Sequence, residues 1–187
     1  IIPRQDTKPL AKALIERFGD FAAVLGAEPA RIAEVPGAGP AVALELKVVQ
    51  AALERATLVE AKRRTIVTTW SALLNYCRTK LANEPREQFC VLYLDRKNQI
   101  IADETQPGTV DQAPVFPREI VRRALELSAS ALILVHNHPS GDPSPSKADI
   151  AITQEIVKAA SVMNIAVHDH LIIGRNGQKS FKTMGLL

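Results

Sequence analysis

Apolar residues recur at helical spacing from Pro9 to Phe18, where Gly19 ends the pattern, and again briefly from Pro29 to Glu34. From Ala41 onward, a long stretch of good helix formers predicts one extended helix. Between these two lies Val35-Pro36-Gly37-Ala38-Gly39-Pro40. Its glycines permit a tight turn and Pro40 suits a first helical position, so the segment predicts a hairpin joining two helices.

The pattern changes around Arg63 to Thr69. A helix is predicted from about Thr69 to Ala82, with Trp70, Leu73, Leu74 and Cys77 on one face. Glu87 to Asp95 is short and mostly apolar, a strand; Lys97-Asn98 makes a turn, and Gln99 to Ala102 returns as the hairpin partner. Pro117 opens a helix through Leu127 with Ile120, Val121, Ala124 and Leu127 as its buried stripe. Ala131 to Val135 is apolar throughout, as a central strand must be. A helix from Pro145 to about Met163, with Ser144 as N-cap, and a strand from Val167 to Ile173 complete the chain. Strands alternating with helices predict an α/β fold with a mixed sheet flanked by helices (residues 65–187), preceded by a small all-α domain (residues 1–64).

Composition adds boundaries to this picture. At 187 residues, with 47% apolar and 23% charged residues, the chain has the proportions of a globular protein with a real core. No apolar run approaches the roughly 18 residues that span a bilayer, so no membrane role is expected. Cys77 and Cys90 stand far from any C-x-x-C spacing and read as reduced thiols of a cytoplasmic protein, filling apolar positions. The opening Ile1-Ile2-Pro3-Arg4 lacks a methionine and reads as the start of a fragment, which leaves room for an upstream leader. The net charge of +3 is mild, with 10 Lys and Arg against 8 Asp and Glu in residues 1–64 and 13 against 12 in the remainder. Only Lys62-Arg63-Arg64 is a local basic cluster, and a solvated helix end explains it.

The chemistry concentrates in His136-Asn137-His138-Pro139-Ser140-Gly141-Asp142-Pro143-Ser144-Pro145-Ser146. Side chains two apart on an extended segment leave from one face, so the imidazoles of His136 and His138 can converge on one ion. Ser146 and Asp149 are three apart at the start of the next helix and are therefore neighbours. Two neutral imidazoles and a carboxylate make a three-ligand set for Zn²⁺ with a fourth position for water, whose pKa such a metal brings to near 7. The same ligands also suit the facial triad of non-haem iron, so the metal stays open between these. Ser146 is placed to stabilise an oxyanion. His168 and His170 alternate on the last strand; a structural role, or a hydrogen bond that orients a ligand, suits them better than ligation, and Asp169 is a similar weak candidate.

His136-x-His138, seven residues, then Ser146-x-x-Asp149 resembles the JAMM (MPN-plus) metalloprotease signature at every spacing. The resemblance implies a general base on an upstream glutamate at the entry to the first core strand, which Glu87 matches, with Glu84 and Glu119 as rivals. More narrowly, His136 to Pro143, Pro117-Arg118-Glu119, His168 to Gly174, and Ser180-Phe181 with Gly185-Leu186-Leu187 look like bacterial RadC-family proteins. Those carry a helix-hairpin-helix region before a JAMM domain similar in fold to cytidine deaminases. The resemblance implies a zinc hydrolase fold and identifies no peptide to be cut. The leading expectation is a zinc-dependent, metallopeptidase-like hydrolase of amide or isopeptide bonds, acting on a peptide or protein substrate. In it His136, His138 and Asp149 are ligands, Glu87 is the general base and Ser146 stabilises the oxyanion. The alternative keeps the metal but makes nucleic acid the target, as a DNA-associated protein or metal-dependent nuclease-type factor in DNA repair or recombination, in which residues 1–64 dock nucleic acid through turn amides and a helix N-terminus. There the basic side chains that usually assist are replaced by Pro40, Ala41, Val42 and Ala43, so the contact expected is weak and salt-sensitive. A non-catalytic scaffold is a third reading, opposed by the completeness of the five-residue set.

Overall fold

A computed structural model describes residues 6–62, 70–107 and 115–187. Four helices come first: α1 (Lys8–Phe18), α2 (Phe21–Gly26), α3 (Pro29–Ala33) and α4 (Gly39–Lys62). Asp20 caps α2 by accepting from Ala23 N at 2.7 Å, a short helix that the periodicity does not reveal. These helices close a small core of their own around Leu14, Val24, Ile32, Val35 and Ala43. The expected division at residue 64/65, the Lys62-Arg63-Arg64 cluster and the predicted helix start at Thr69 reach into residues 63–69, outside the described residues.

The remainder consists of α5 (Trp70–Leu81), β1 (Gln88–Leu94), β2 (Ile100–Pro107), α6 (Pro117–Glu126), β3 (Ala131–Asn137), α7 (Lys147–Val162), β4 (Ala166–Gly174) and β5 (Gly177–Ser180). The strands form a mixed sheet in the order β2-β1-β3-β4-β5, in which only β3 and β4 run parallel. Apolar strands this continuous need cover on both faces, and both have it. On one face Cys90, Leu92, Ile133, Val135, Leu171 and Ile173 meet α5. On the other, Phe89, Val91, Tyr93, Leu132 and Leu134 meet α6 and α7. Both cysteines are free and buried, and burial pushes their thiols up, which fits their reading as small core residues. Among the described residues no helix is long and apolar enough to cross a membrane.

Several boundaries differ from expectation for tertiary reasons. The buried face of α5 is Leu73, Tyr76, Cys77 and Leu81, while Trp70 is 39% exposed. Tyr76 turns inward because its hydroxyl donates to Asp103 Oδ2 at 2.5 Å, where Lys80 also donates at 2.8 Å. β2 runs well past Ala102 into polar residues, which an edge strand paired on one side tolerates. β5 is four residues long and polar; the Arg175-Asn176 turn before Gly177 joins it to β4. The N-cap of α7 is Ser146, not Ser144: Ser146 Oγ accepts from Asp149 N at 3.1 Å and Asp149 Oδ2 accepts from Ser146 N at 2.7 Å. This reciprocal capping box outcompetes a start at Pro145, since Ser144 N is already donating to Asp142 Oδ1 at 2.9 Å.

Candidate metal centre

The β3–α7–β4 unit returns the chain to a strand parallel to the first, so the loop between β3 and α7 opens at the carboxyl ends of β3 and β4. His136 lies on β3, and His138 follows it with its N–H still bonded to Ile173 O at 3.0 Å. The loop then folds back over β4. Gly141 takes φ +92, and a Cβ on Gly174 would stand 2.3 Å from Gly141 O, so the crossing needs a glycine at 174. His138 Nδ1 lies 2.8 Å from Asp142 O. A carbonyl only accepts, so Nδ1 carries the hydrogen and the neutral ring is left with a bare Nε2.

The first turn of α7 brings Asp149 to the same place. His136 Nε2 and His138 Nε2 are 3.0 Å apart, and they lie 3.4 Å from Asp149 Oδ1 and Oδ2 respectively. Side-chain exposure is 1% for His136, 16% for His138 and 14% for Asp149. Nitrogen lone pairs and a carboxylate crowded together in so little water call for a cation, and imidazole-carboxylate donor sets suit a transition metal. Among the described residues these three form the one His/Cys/Asp/Glu group arranged to hold an ion.

The electrostatics agree with this geometry. Hydrogen bonding to Asp149 raises the His138 pKa above its ordinary value against the opposing effect of burial, with smaller help from Asp142 O and the charge of Glu87. Burial pushes the Asp149 carboxyl up, but the adjoining imidazoles of His136 and His138 and the N–H of Ser146 outweigh it and hold the group far below the usual carboxylate range.

Glu87 stands immediately before β1, half-buried. Phe89 pairs with His136 at the last rung of the antiparallel β1–β3 ladder, and Glu87, two residues before Phe89, lies near enough to His138 for its charge to act on that imidazole. Its rivals are engaged elsewhere: Glu84 accepts from Gln50 Nε2 at 3.2 Å and Gln88 Nε2 at 2.9 Å, and Glu119 pairs with Arg118 and Arg122 on the surface of α6. Ser146 is exposed beside Asp149, and although its oxygen accepts a backbone N–H, its hydroxyl hydrogen remains available to donate.

His168 and His170 do not share a face. A bulge in the β3–β4 ladder pairs Leu132 with Val167 and Ile133 with Asp169, leaving His168 as the extra residue. His168 bonds Asn98 Oδ1 at 2.8 Å, and burial lowers its pKa. His170, fully buried, reaches His136 Nδ1 at 2.8 Å, and burial pushes its pKa well down. Asp169 serves the local structure, accepting from two backbone N–H groups and a hydroxyl: His170 N, Ser180 Oγ and Lys182 N at 2.7, 2.6 and 3.0 Å. That clamp seats Phe181 against the His170 ring, with centroids 4.6 Å apart.

Asn137 escaped the sequence reading. It lies between the two site histidines, so the strand alternation sends it to the opposite face. There it is 1% exposed; Oδ1 accepts from Gln88 N at 2.8 Å, and Nδ2 donates to Arg86 O at 3.1 Å and Glu84 O at 3.3 Å. One side chain thus fixes the backbone on both sides of Glu87. A second polar residue directly after His136, at the end of the apolar Ala131–Val135 run, was the available signal.

A mixed sheet between helices, with a His-x-His strand end facing a helix-borne aspartate, defines a JAB-type domain. The model of the RadC-like JAB domain matches residues 67–186. A UPF0758 protein of Rhodobacter capsulatus is 57% identical over all 187 residues of this chain, which span 87% of that relative. The chain belongs to the RadC family.

Proposed function

We propose that this chain is a zinc-dependent hydrolase of amide or isopeptide bonds, acting on a peptide or protein substrate. The observation that carries the reading is the approach of two imidazole Nε2 atoms to 3.0 Å with one carboxylate 3.4 Å from each. His136, His138 and Asp149 would hold the ion. When bound, Zn²⁺ supplies Lewis-acid polarisation of water and of the scissile carbonyl. Glu87, whose charge acts on His138, takes a proton from the attacking water onto its carboxylate and passes it to the leaving amine nitrogen. Ser146 donates its hydroxyl hydrogen to the oxygen that develops negative charge. The buried wall formed by Phe89 and the strand ends keeps bulk water from the histidines and so strengthens these interactions.

The test combines elemental analysis with a peptide-library cleavage screen. Purified protein is expected to carry one zinc, His138→Ala to lose it, and Glu87→Gln to keep it while losing cleavage. Full zinc occupancy in His138→Ala refutes the ligand assignment; undiminished cleavage by Glu87→Gln refutes the base.

Nucleic-acid docking by residues 1–64, the second reading, has one observation behind it. Gly37 and Gly39 take φ +85 and +63 at the turn into α4, as a hairpin that offers its amides to phosphate requires. The full chain's affinity for duplex DNA, measured across salt concentrations, tests it; absence of salt-dependent binding removes it.

A further inference from the structure

Behind the three converging side chains a row of polar groups runs inward. Thr153, one turn along α7 from Asp149, donates from Oγ1 to Asp149 O at 2.5 Å. The same Oγ1 lies 2.6 Å from His170 Nδ1, and His170 Nε2 lies 2.8 Å from His136 Nδ1. Thr153, His170 and His136 are all at most 1% exposed.

Donor chemistry assigns every hydrogen in this row. A backbone carbonyl only accepts, so the single hydroxyl hydrogen of Thr153 goes to Asp149 O. Thr153 Oγ1 can then only accept from His170, which must carry its hydrogen on Nδ1. The His170 ring packs against those of Phe89 and Phe181, an apolar setting that disfavours an imidazolium. A neutral ring has one N–H, so His170 Nε2 is bare and accepts from His136 Nδ1. His136 is left with a lone pair at Nε2, the atom that faces His138 and Asp149.

We propose that Thr153 and His170 are positioning residues that lock His136 as its Nδ1–H tautomer, so that its Nε2 lone pair is presented to a divalent cation. The lock ends on the backbone carbonyl of Asp149, whose carboxylate belongs to the same donor set. Strand β3, strand β4 and the first turn of α7 are therefore joined by one run of hydrogen bonds, and a shift of α7 along the sheet disturbs the aspartate and the histidine together. The inference rests on the metal reading above and deepens it by naming what prepares the site before an ion arrives.

The experiment uses the full chain, ¹⁵N-labelled and metal-free, with long-range ¹H–¹⁵N histidine spectra to assign the ring hydrogens. Zinc affinity is then measured by chelator competition. In the parent protein His136 is expected to carry its hydrogen on Nδ1 with Nε2 bare. Thr153→Val and His170→Phe are expected to admit the Nε2–H form of His136 and to weaken zinc binding about tenfold to a hundredfold, the usual cost of losing a hydrogen bond behind a metal ligand. Thr153→Ser restores both readings. A hydrogen on His136 Nε2 in the parent protein overturns the proposal, and so does Thr153→Val leaving both tautomer and affinity unchanged. Thr153→Val is nearly isosteric, so the test survives if His170→Phe fails to fold. A merely structural role lowers thermal stability without moving the tautomer. The tautomer is read without metal, so a parent protein that takes up no zinc sinks the hydrolase reading separately.

Discussion

Phe89 and His136 occupy paired positions on β1 and β3, and their rings lie nearly parallel, 6.2 Å apart at 11°. The phenyl ring thus forms a wall for His136 while anchoring the core beneath α6 and α7. Phe89→Ala is expected to cost about 3–5 kcal/mol of stability, through lost burial and the cavity left behind. Phe89→Leu is expected to cost less. Urea denaturation checks both, and equal midpoints for parent and alanine variant would contradict the packing role.

Asn137 makes a sharper case, because the sign of a charge substitution can be worked out. Asn137→Ala leaves Gln88 N without its buried acceptor and two carbonyls without their donor, at a cost of about 1–3 kcal/mol. Asn137→Asp preserves the acceptor but turns a carboxylate oxygen toward Glu84 O and Arg86 O in a buried position. It is expected to destabilise more than alanine does, although it is closer in size. Thermal denaturation of the two variants decides; the reverse order would mean that the segment around Glu87 is held by something else.

Gly174 tests the loop. A methyl group there would lie 2.3 Å from Gly141 O and 3.2 Å from Pro143 Cδ, so the segment carrying Asp142 must move. The bond from His138 Nδ1 to Asp142 O should then fail, and Gly174→Ala is expected to weaken zinc affinity about tenfold or more with the sheet intact. Chelator competition alongside far-ultraviolet circular dichroism separates the two effects. Unaltered affinity would show that the loop relaxes without disturbing His138.

The metal-free protein should respond to pH in a defined direction. The His138 pKa is raised in the folded state, so its contribution is fully present below the unfolded value near 6.5 and is lost as pH rises through the folded value. The Asp149 pKa is lowered, so its contribution is present above the unfolded value near 4 and is lost only as strong acid protonates it. The pair therefore stabilises most between those unfolded values and weakens toward alkaline pH. Protons and metal compete for His138 Nε2, so the rise in Tm on adding zinc should grow from mildly acidic to mildly alkaline pH. A zinc increment independent of pH over that range would remove His138 from the ligands.

Much of this protein is legible in single segments, because the physics there is local. The pleat sends His136 and His138 to one face whatever surrounds them. Serine followed three residues later by aspartate carries its own cap, although choosing Ser146 over Ser144 required the competing bond from Ser144 N to Asp142. Unbroken apolar strands announced a sheet covered on both sides. What only the tertiary structure decided depends on register between segments distant in the chain. The bulge at His168 assigns it to Asn98 and His170 to His136; Asn137 reaches back about fifty residues to the backbone around Glu87; Tyr76 turns inward for an aspartate on another element. Local periodicity sets which way a side chain leaves its own backbone. It carries no information about which partner the fold has brought there to meet it.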